Sequence, residues 1–227
     1  MFVGHFAVAL AAKRAAPRTS LATLFAAAQL LDLVWPVLVL AGLETVRIDP
    51  GNTAFTPLDF TSYPWSHSAL LAAGWAGLFG AAYLLRTGDR AGAAVCAALV
   101  ASHWLLDVAS HRPDLPLYPG GPKEGLGLWG SVPWTLAVEL TLFALGLALY
   151  LGATRARDAV GRWALVGLIA FLLVAYLGNV AGPPPPSPTA VAVVTLVGWA
   201  VILPWAAWAD RHREARTGAG GVPAAGA

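Results

Sequence analysis

Long apolar stretches dominate the chain, and short connections between them carry most of its charges. Six stretches are close to the ~20 residues that a helix needs to cross a bilayer. They cover residues 19–42, 65–85, 91–110, 132–153, 159–178 and 188–209. A shorter apolar segment at 2–12 is expected to form a half-inserted helix. The pattern predicts an all-α, polytopic transmembrane helix bundle with about six spanning helices plus this short N-terminal helix.

Composition agrees with this pattern. Hydrophobic residues make up 58% of the chain and charged residues 11%, and the mean hydropathy is +0.66, which excludes an ordinary soluble domain. No linker divides the chain, so we expect one membrane-embedded domain over 1–210, with the candidate chemistry in 1–135 and packing helices in 136–210. Residues 211–227 are predicted to form a disordered cytoplasmic tail.

The positions of the basic residues predict an orientation. Eleven of the fourteen Lys and Arg residues lie in alternate connections or at the ends of the helices beside them. They are Lys13, Arg14, Arg18, Arg86, Arg90, Arg155, Arg157, Arg162, Arg211, Arg213 and Arg216. By the positive-inside rule these connections are expected to be cytoplasmic. The two long loops, 43–64 and 111–131, then lie on the opposite, periplasmic or extracellular side, where they are long enough to fold over a site.

A stripe of three potential metal ligands stands out inside this apolar pattern. His103, Asp107 and His111 recur every four residues, so a helix of that length places them on one face. An ionisable residue inside a membrane is costly and is therefore a functional-site candidate. Imidazole and carboxylate groups together bind zinc and other divalent ions. Pro113 follows closely, so the helix is expected to end near His111.

The predicted topology brings further polar residues to the same leaflet as this stripe. We expect a divalent metal ion, zinc first and Mn²⁺ or Mg²⁺ as alternatives, to be held by Asp32, His67, His103 and Asp107. His5 or His111 is expected to act as the catalytic acid or base. A bound divalent ion lowers the pKa of its water, so hydrolysis is the reaction that this set suggests.

Two further residues bear on this cluster. Pro36 is expected to loosen the helix around Asp32, because proline lacks a backbone N–H and leaves a carbonyl free. Glu139, near the outer end of the stretch 132–153, is either an additional site residue or a hydrogen-bonded carboxyl between helices.

These residues lie in short sequence motifs, and the order of the motifs along the chain is that of a known protein family. They are Gly4-His5, the mid-helix Asp32, Trp65-Ser66-His67-Ser68, Ser102-His103-Trp104-Leu105-Leu106-Asp107 and His111-Arg112-Pro113-Asp114. Over about the first 135 residues the chain resembles the bacterial family of LexA-regulated inner-membrane metal-dependent hydrolases. The resemblance implies a membrane-bound, metal-dependent hydrolase, with His5, Asp32, His67, His103 and Asp107 at the matching positions.

The chain departs from that family's pattern at two places. The acidic motif of the family's second helix has two aspartates after a proline, whereas this chain has only Asp32, with Pro36 after it. The family's histidine-serine motif has Thr before His, where this chain has Ser66. The first departure leaves the number of metal ions open.

Three functions are compatible with these residues. The leading hypothesis is a hydrolase that acts on a lipid or lipid-linked ester or phosphoester at the outer leaflet. An ion or proton transporter is the second, since intramembrane His and Asp residues also relay protons. A non-catalytic scaffold with a structural metal site is the third. Membrane lipids and a small-molecule or lipid substrate are the expected partners; nucleic acid is not, because the chain lacks a folded basic surface. The oligomeric state stays open.

Overall fold

Apolar helices form the body of the protein, as the sequence pattern predicts. The computed structural model describes residues 1–216. Its helices are α1 (Val3–Ala12), α2 (Leu21–Ala28), α3 (Leu30–Leu40), α4 (Pro64–His67), α5 (Ala69–Thr87), α6 (Arg90–Ser110), α7 (Val132–Ala153), α8 (Ala159–Ala181) and α9 (Pro188–Arg211). Helices α5 to α9 are each long and apolar enough to span a membrane, and α2 with α3 passes the same test only as a bent pair, which makes it a sixth candidate span. The predicted all-α polytopic bundle is therefore confirmed.

Helix α1 is short and lies in the interior of the bundle. Most of its ten residues are buried, including His5, and it packs against α2, α6 and α7. At ~1.5 Å per residue it is about 15 Å long, half the thickness of a hydrocarbon core. A helix of this length, surrounded by other helices, holds the side chain of His5 in the interior of the bundle.

The first span is broken at a position that the sequence does not indicate. Helices α2 and α3 meet at Gln29 and are bent by 59° relative to each other. Pro36 lies inside α3 without ending it. It does leave the carbonyl of Asp32 without an intrahelical donor, as expected, and the indole Nε1 of Trp199 donates to that oxygen at 3.2 Å.

A second break separates His67 from the span that follows. His67 is the last residue of the short helix α4, and Ser68 is extended before α5 begins at Ala69. The side chain of Ser68 caps α5 by accepting from the amide of Leu71 at 3.4 Å. The single helix predicted from residue 65 is therefore two helices, and His67 is held on the shorter one.

Most of the predicted basic connections meet at one end of the bundle, called here the basic end. Asp210 lies at its centre, where its Oδ2 accepts from Lys13 Nζ at 2.7 Å and its Oδ1 from the Tyr150 hydroxyl at 2.9 Å. At the same end, strand β5 (Thr154–Ala156) pairs antiparallel with strand β6 (Arg213–Ala215). These contacts tie α1, α7 and α9 together.

The two long loops meet at the opposite end. The first forms a hairpin of β1 (Thr45–Ile48) and β2 (Leu58–Ser62), and the second contains the short pair β3 (Leu115–Pro116) and β4 (Lys123–Glu124). Arg112 joins them through Asp59, and the amide of Phe55 donates to the carbonyl of Trp129 at 3.1 Å. The loops thus form one cover over this end of the bundle.

The predicted disordered tail is wrong for its first residues. Arg211 ends α9, and residues 213–215 form β6 because β5 offers them a strand to pair with. The rest of that predicted tail, residues 217–227, lies outside the described residues.

Close packing of α1 on α7 depends on Gly146, since a Cβ at this position would overlap the carbonyl oxygen of Ala7. We expect Gly146→Ala to lower the free energy of unfolding by about 1–3 kcal/mol, because the neighbouring atom is backbone and has little freedom to move. Gly152→Ala, on the same helix with open space around it, is the matched control and is expected to be neutral or slightly stabilising. Thermal unfolding of both variants in detergent checks this; equal melting temperatures would contradict it.

Candidate metal centre

Five of the six residues expected to take part in catalysis or metal binding converge between α1, α3, α4 and α6. His5, His67, His103 and Asp107 are buried, and the side chain of Asp32 is 34% exposed. Two groups of donor atoms lie close enough to hold a metal ion, His5 with His103 and Asp107, and Asp32 with His67 and His103. The sixth residue, His111, lies beside these groups.

The four expected metal ligands alternate histidine and carboxylate around a common centre. The Nε2 of His103 is 3.1 Å from Asp107 Oδ2 and 3.8 Å from Asp32 Oδ2. The Nε2 of His67 is 3.4 Å from Asp32 Oδ1 and 3.8 Å from Asp107 Oδ2. In a tetrahedral zinc site with bonds of ~2.1 Å, ligand atoms are about 3.4 Å apart. The four distances lie around that value, and the donor atoms form two groups of three that share His103: Asp32 with His67, and Asp107 with His5.

The break after α2 fixes the orientation of His103. Its Nδ1 is 2.8 Å from the carbonyl oxygen of Ala28, the last residue of α2. A carbonyl only accepts hydrogen bonds, so Nδ1 carries the proton and, in the neutral ring, Nε2 presents a lone pair. That Nε2 is buried and has no hydrogen-bond partner within residues 1–216, although Asp107 is beside it. Either a proton on this nitrogen or a cation shared by the two groups would satisfy both.

A chain of hydrogen bonds that starts at Glu44, just before β1, fixes the orientation of the His67 ring in the same way. Glu44 is buried and accepts from the amides of Trp65 and Ser66, each at 2.8 Å. Its other oxygen accepts the hydroxyl proton of Ser66 at 2.7 Å. The Ser66 oxygen, 2.7 Å from His67 Nδ1, is therefore left to accept from that nitrogen. His67 accordingly turns an unprotonated Nε2 toward the carboxylates.

Asp107 divides its two oxygens between different partners. Oδ2 faces His67 and His103, whereas Oδ1 is 3.0 Å from His5 Nε2 and also contacts the amino nitrogen of Met1. The His5 ring stacks on that of His103 at 3.8 Å between centroids. His5 lies behind Asp107, away from the cavity described below, which suits a residue that orients Asp107 better than one that meets substrate.

Glu139 lies between two helices, in agreement with the second of the two roles considered for it. Its Oε2 accepts from the amides of Phe2 and Gly4 at 2.8 and 3.1 Å. It thereby ties α7 to the N-terminus of α1, where a carboxylate satisfies free N–H groups. The position of His5 depends on this anchor.

His111 forms a dyad with an acid at the rim of the site. Its Nδ1 is 2.9 Å from Asp114 Oδ1, which also accepts from the Tyr63 hydroxyl at 2.8 Å. Burial lowers the pKa of His111 below its ordinary value despite the opposing hydrogen bond to Asp114. Burial opposes ionisation of Asp114, but its hydrogen bonds, first among them that to His111, lower its pKa. The dyad is a neutral imidazole held by a carboxylate.

A cavity of about 740 Å³ opens onto this cluster. Asp32, His67, Asp107 and His111 line it on the polar side. Aromatic side chains of the two loops and of α3 wall it at the covered end, among them Phe55, Phe60, Trp129 and Trp35. The donors are therefore buried by protein on one side and face an open volume on the other.

Sequence reasoning missed Glu44 and Asp59, which support the site from the first loop. Asp59 accepts from both Arg47 and Arg112 and so joins the two loops. One feature of the sequence could have indicated them. Glu44 and Asp59 lie on either side of the turn residues at the centre of the loop, a pattern typical of a hairpin that brings its two halves together.

The donors could hold a divalent metal ion: imidazole and carboxylate groups suit one, each of two groups brings three donor atoms together, and the Nε2 of His103 has no hydrogen-bond partner within the described residues. In comparisons with known proteins, no family model, curated protein or solved structure matches the chain.

His103→Ala is expected to abolish metal binding, because it removes one of the four donors at the centre of the cluster. Elemental analysis of detergent-purified protein checks this, with about one equivalent of metal expected in the wild type. His212→Ala is the matched control, since His212 pairs with Asp158 at the basic end. Equal metal content in wild type and His103→Ala, or none in any well-folded preparation, would refute the metal centre.

Ser66→Ala is expected to weaken metal binding by about 10–100-fold without removing a ligand, because His67 loses the acceptor that orients its ring. Metal affinity is measured by competition with a chelator. Ser102→Ala is the control: its hydroxyl bonds only the carbonyl of Leu99 within the described chain, although it is next to His103. An unchanged affinity in Ser66→Ala would show that the relay from Glu44 does not act on the ligand.

Proposed function

We propose that the protein is a membrane-embedded, metal-dependent hydrolase that cleaves an ester or phosphoester of a lipid or lipid-linked substrate. The observation that carries the proposal is the half-open donor cluster: the ligand Asp32 is 34% exposed, and it lines a cavity that also reaches His111. Catalytic metal sites keep a position open for water or substrate, whereas structural sites are closed by protein ligands. The same observation weighs against the scaffold hypothesis.

Each residue has a defined part in this proposal. Asp32, His67, His103 and Asp107 hold the divalent ion, and the mixture of imidazole and carboxylate donors favours zinc. When bound, the ion polarises the carbonyl or phosphoryl oxygen and lowers the pKa of water. His5 and the Glu44–Ser66 relay keep Asp107 and His67 in position. This set matches the family resemblance noted in the sequence, which adds to the proposal without testing it.

His111 is the proposed general base and acid. Held at Nδ1 by Asp114, it takes a proton from the attacking water at Nε2 and returns it to the leaving oxygen as the ester bond breaks. Its lowered pKa keeps the imidazole neutral, which is the form that accepts a proton. The aromatic walls of the loops exclude bulk water and strengthen these interactions.

A proton relay across the bundle has less support. Beyond the cluster, the interior toward the basic end is filled by apolar side chains such as Phe25, Leu99 and Val100. A relay needs polar groups or water at hydrogen-bonding distance along its whole length.

The orientation is part of the proposal. The gathering of the basic connections at one end supports a cytoplasmic location for that end and a periplasmic one for the donor cluster in a bacterial inner membrane.

His111→Ala is expected to lower hydrolysis by at least about 100-fold while metal content is kept, because it removes the general base and no ligand. The assay incubates purified protein with vesicles of phosphatidylglycerol, phosphatidylethanolamine and a polyprenyl diphosphate and detects fatty acid, diacylglycerol or phosphate by mass spectrometry. His103→Ala is expected to lose both metal and activity, and His212→Ala neither. Metal-loaded wild type that releases no product, or full activity in His111→Ala, would rule out this mechanism.

A further inference from the structure

Gln29 is a buried polar residue that the proposed mechanism does not use. It lies at the break between α2 and α3, where it ends the first helix and precedes the second. The residue is 2% exposed, and its Oε1 has no hydrogen-bond partner within residues 1–216. A buried amide oxygen without a partner costs free energy, so such groups are rare in folded proteins. Gln29 is therefore a candidate for binding a ligand.

The positions on either side of Gln29 contact or belong to the donor cluster. The carbonyl of Ala28, directly before it, is 2.8 Å from Nδ1 of His103. Asp32 follows three residues later, and the carbonyl of Gln29 accepts from the amide of Leu33 at 2.9 Å. Residues three apart at the start of a helix share one face, and both Gln29 and Asp32 line the cavity. Gln29 thus belongs to the cavity wall beside a proposed ligand.

The N-terminus of α3 lies at the same place. Because its hydrogen-bond ladder begins with the amide of Leu33, the amides of Leu30, Leu31 and Asp32 have no acceptor inside the helix. The side chain before a helix commonly accepts from one of these amides, but that of Gln29 does not. The N-terminus of this eleven-residue helix carries a partial positive charge and suits an anionic oxygen. Broken helices of membrane transporters present such termini to anionic substrates.

The charges around the cluster favour a ligand with a single negative charge. Asp32 and Asp107 bring two carboxylates, which the proposed divalent ion offsets. The amino group of Met1 contacts Asp107 and lies next to Phe2, whose amide binds a third carboxylate, Glu139. Among the described residues, no Lys or Arg lines the cavity. The N-terminus of α3, equivalent to about half a positive charge, is then left to stabilise a ligand, and it suits a monoanion better than a dianion.

We infer that Gln29 and the first turn of α3 bind a non-bridging oxygen of a phosphodiester, and that a phosphodiester is the substrate class of this site. A phosphodiester carries one negative charge and two non-bridging oxygens, so one oxygen meets Gln29 while the other faces the donor cluster. A carboxylic ester has a single carbonyl oxygen and leaves Gln29 without a partner. In the hydrolysis, the bond from phosphorus to one ester oxygen breaks; the hydroxyl of water ends on phosphorus and its proton on that oxygen. The inference deepens the proposed function and rests on it for the reaction, whereas diester binding is tested by itself.

Three variants isolate the carboxamide of Gln29. Gln29→Met removes it but keeps the length of the side chain, and Gln29→Glu keeps its size but adds a negative charge. Asn179→Ala is the matched control, because Asn179 brings the same chemical group to the cavity wall from an exposed position on α8.

The probe is diethyl phosphate, a soluble phosphodiester. It is titrated into the full-length protein in detergent, and line broadening of its phosphorus NMR signal measures binding with or without a metal ion. We expect equal affinity in the wild type and Asn179→Ala. Gln29→Met is expected to bind about tenfold more weakly, because a hydrogen bond to a charged group is lost, and Gln29→Glu more weakly still, because it repels the anion.

Metal content and melting temperature distinguish ligand binding from other roles of Gln29. Gln29→Met is expected to keep the metal content of the wild type, because Gln29 is not a proposed ligand. It is expected to unfold at no lower temperature than the wild type, because it removes a buried amide that has no protein partner at Oε1. Loss of metal, a lower melting temperature or unchanged binding of diethyl phosphate in Gln29→Met would each overturn the inference.

The products of the vesicle assay separate the two proposals. Metal-dependent release of diacylglycerol from phosphatidylglycerol would support both. Release of fatty acid, or of phosphate from the polyprenyl diphosphate, would support the hydrolase and overturn the phosphodiester as its substrate. No product from metal-loaded wild type, together with diester binding that depends on Gln29, would refute the hydrolase alone.

Discussion

Asp107 brings a carboxylate into the interior of a helical bundle, where removing it from water costs several kcal/mol unless partners replace the solvent, and the partly exposed Asp32 lies beside it. The structure surrounds the two carboxylates with histidines, and the amino group of Met1 also contacts Asp107. Neutral imidazoles compensate a carboxylate poorly by themselves, but they do so well when both kinds of group share a cation. This requirement accounts for the short buried helix, the broken spans and the covering loops.

The two helix breaks supply what the ligands need. A regular helix uses its own carbonyls, whereas the break after α2 leaves the carbonyl of Ala28 to hold His103. The break at Ser68 leaves His67 on a four-residue helix whose N-terminal amides are bound by Glu44. Irregular backbone inside a membrane protein is tolerated where other protein groups satisfy it. Here those groups are the side chain of the proposed ligand His103 and that of Glu44, which supports His67.

The sequence predicts what depends on periodicity and charge. Apolar length indicates the spans, and spacing of four places His103 and Asp107 on one face of α6. The break at Gln29 is not visible in the local sequence, because the group that bonds the carbonyl of Ala28 there is His103, seventy-five positions further along the chain. Glu44 was missed for the same reason, since its partners lie beyond a hairpin. Donor residues are thus visible in the sequence, while the groups that orient them are contributed by tertiary contacts.

Trp199 shows how the packing helices enter the site. Its indole N–H satisfies the Asp32 carbonyl that Pro36 leaves free, and its ring packs on Phe6 of α1. The same side chain lines the cavity beside Asp32. An uninterrupted hydrogen-bond ladder would leave that carbonyl unavailable, so the proline is what lets α9 hold the backbone of a ligand. The second half of the chain therefore supports the donor cluster directly, although it contributes none of the four proposed ligands.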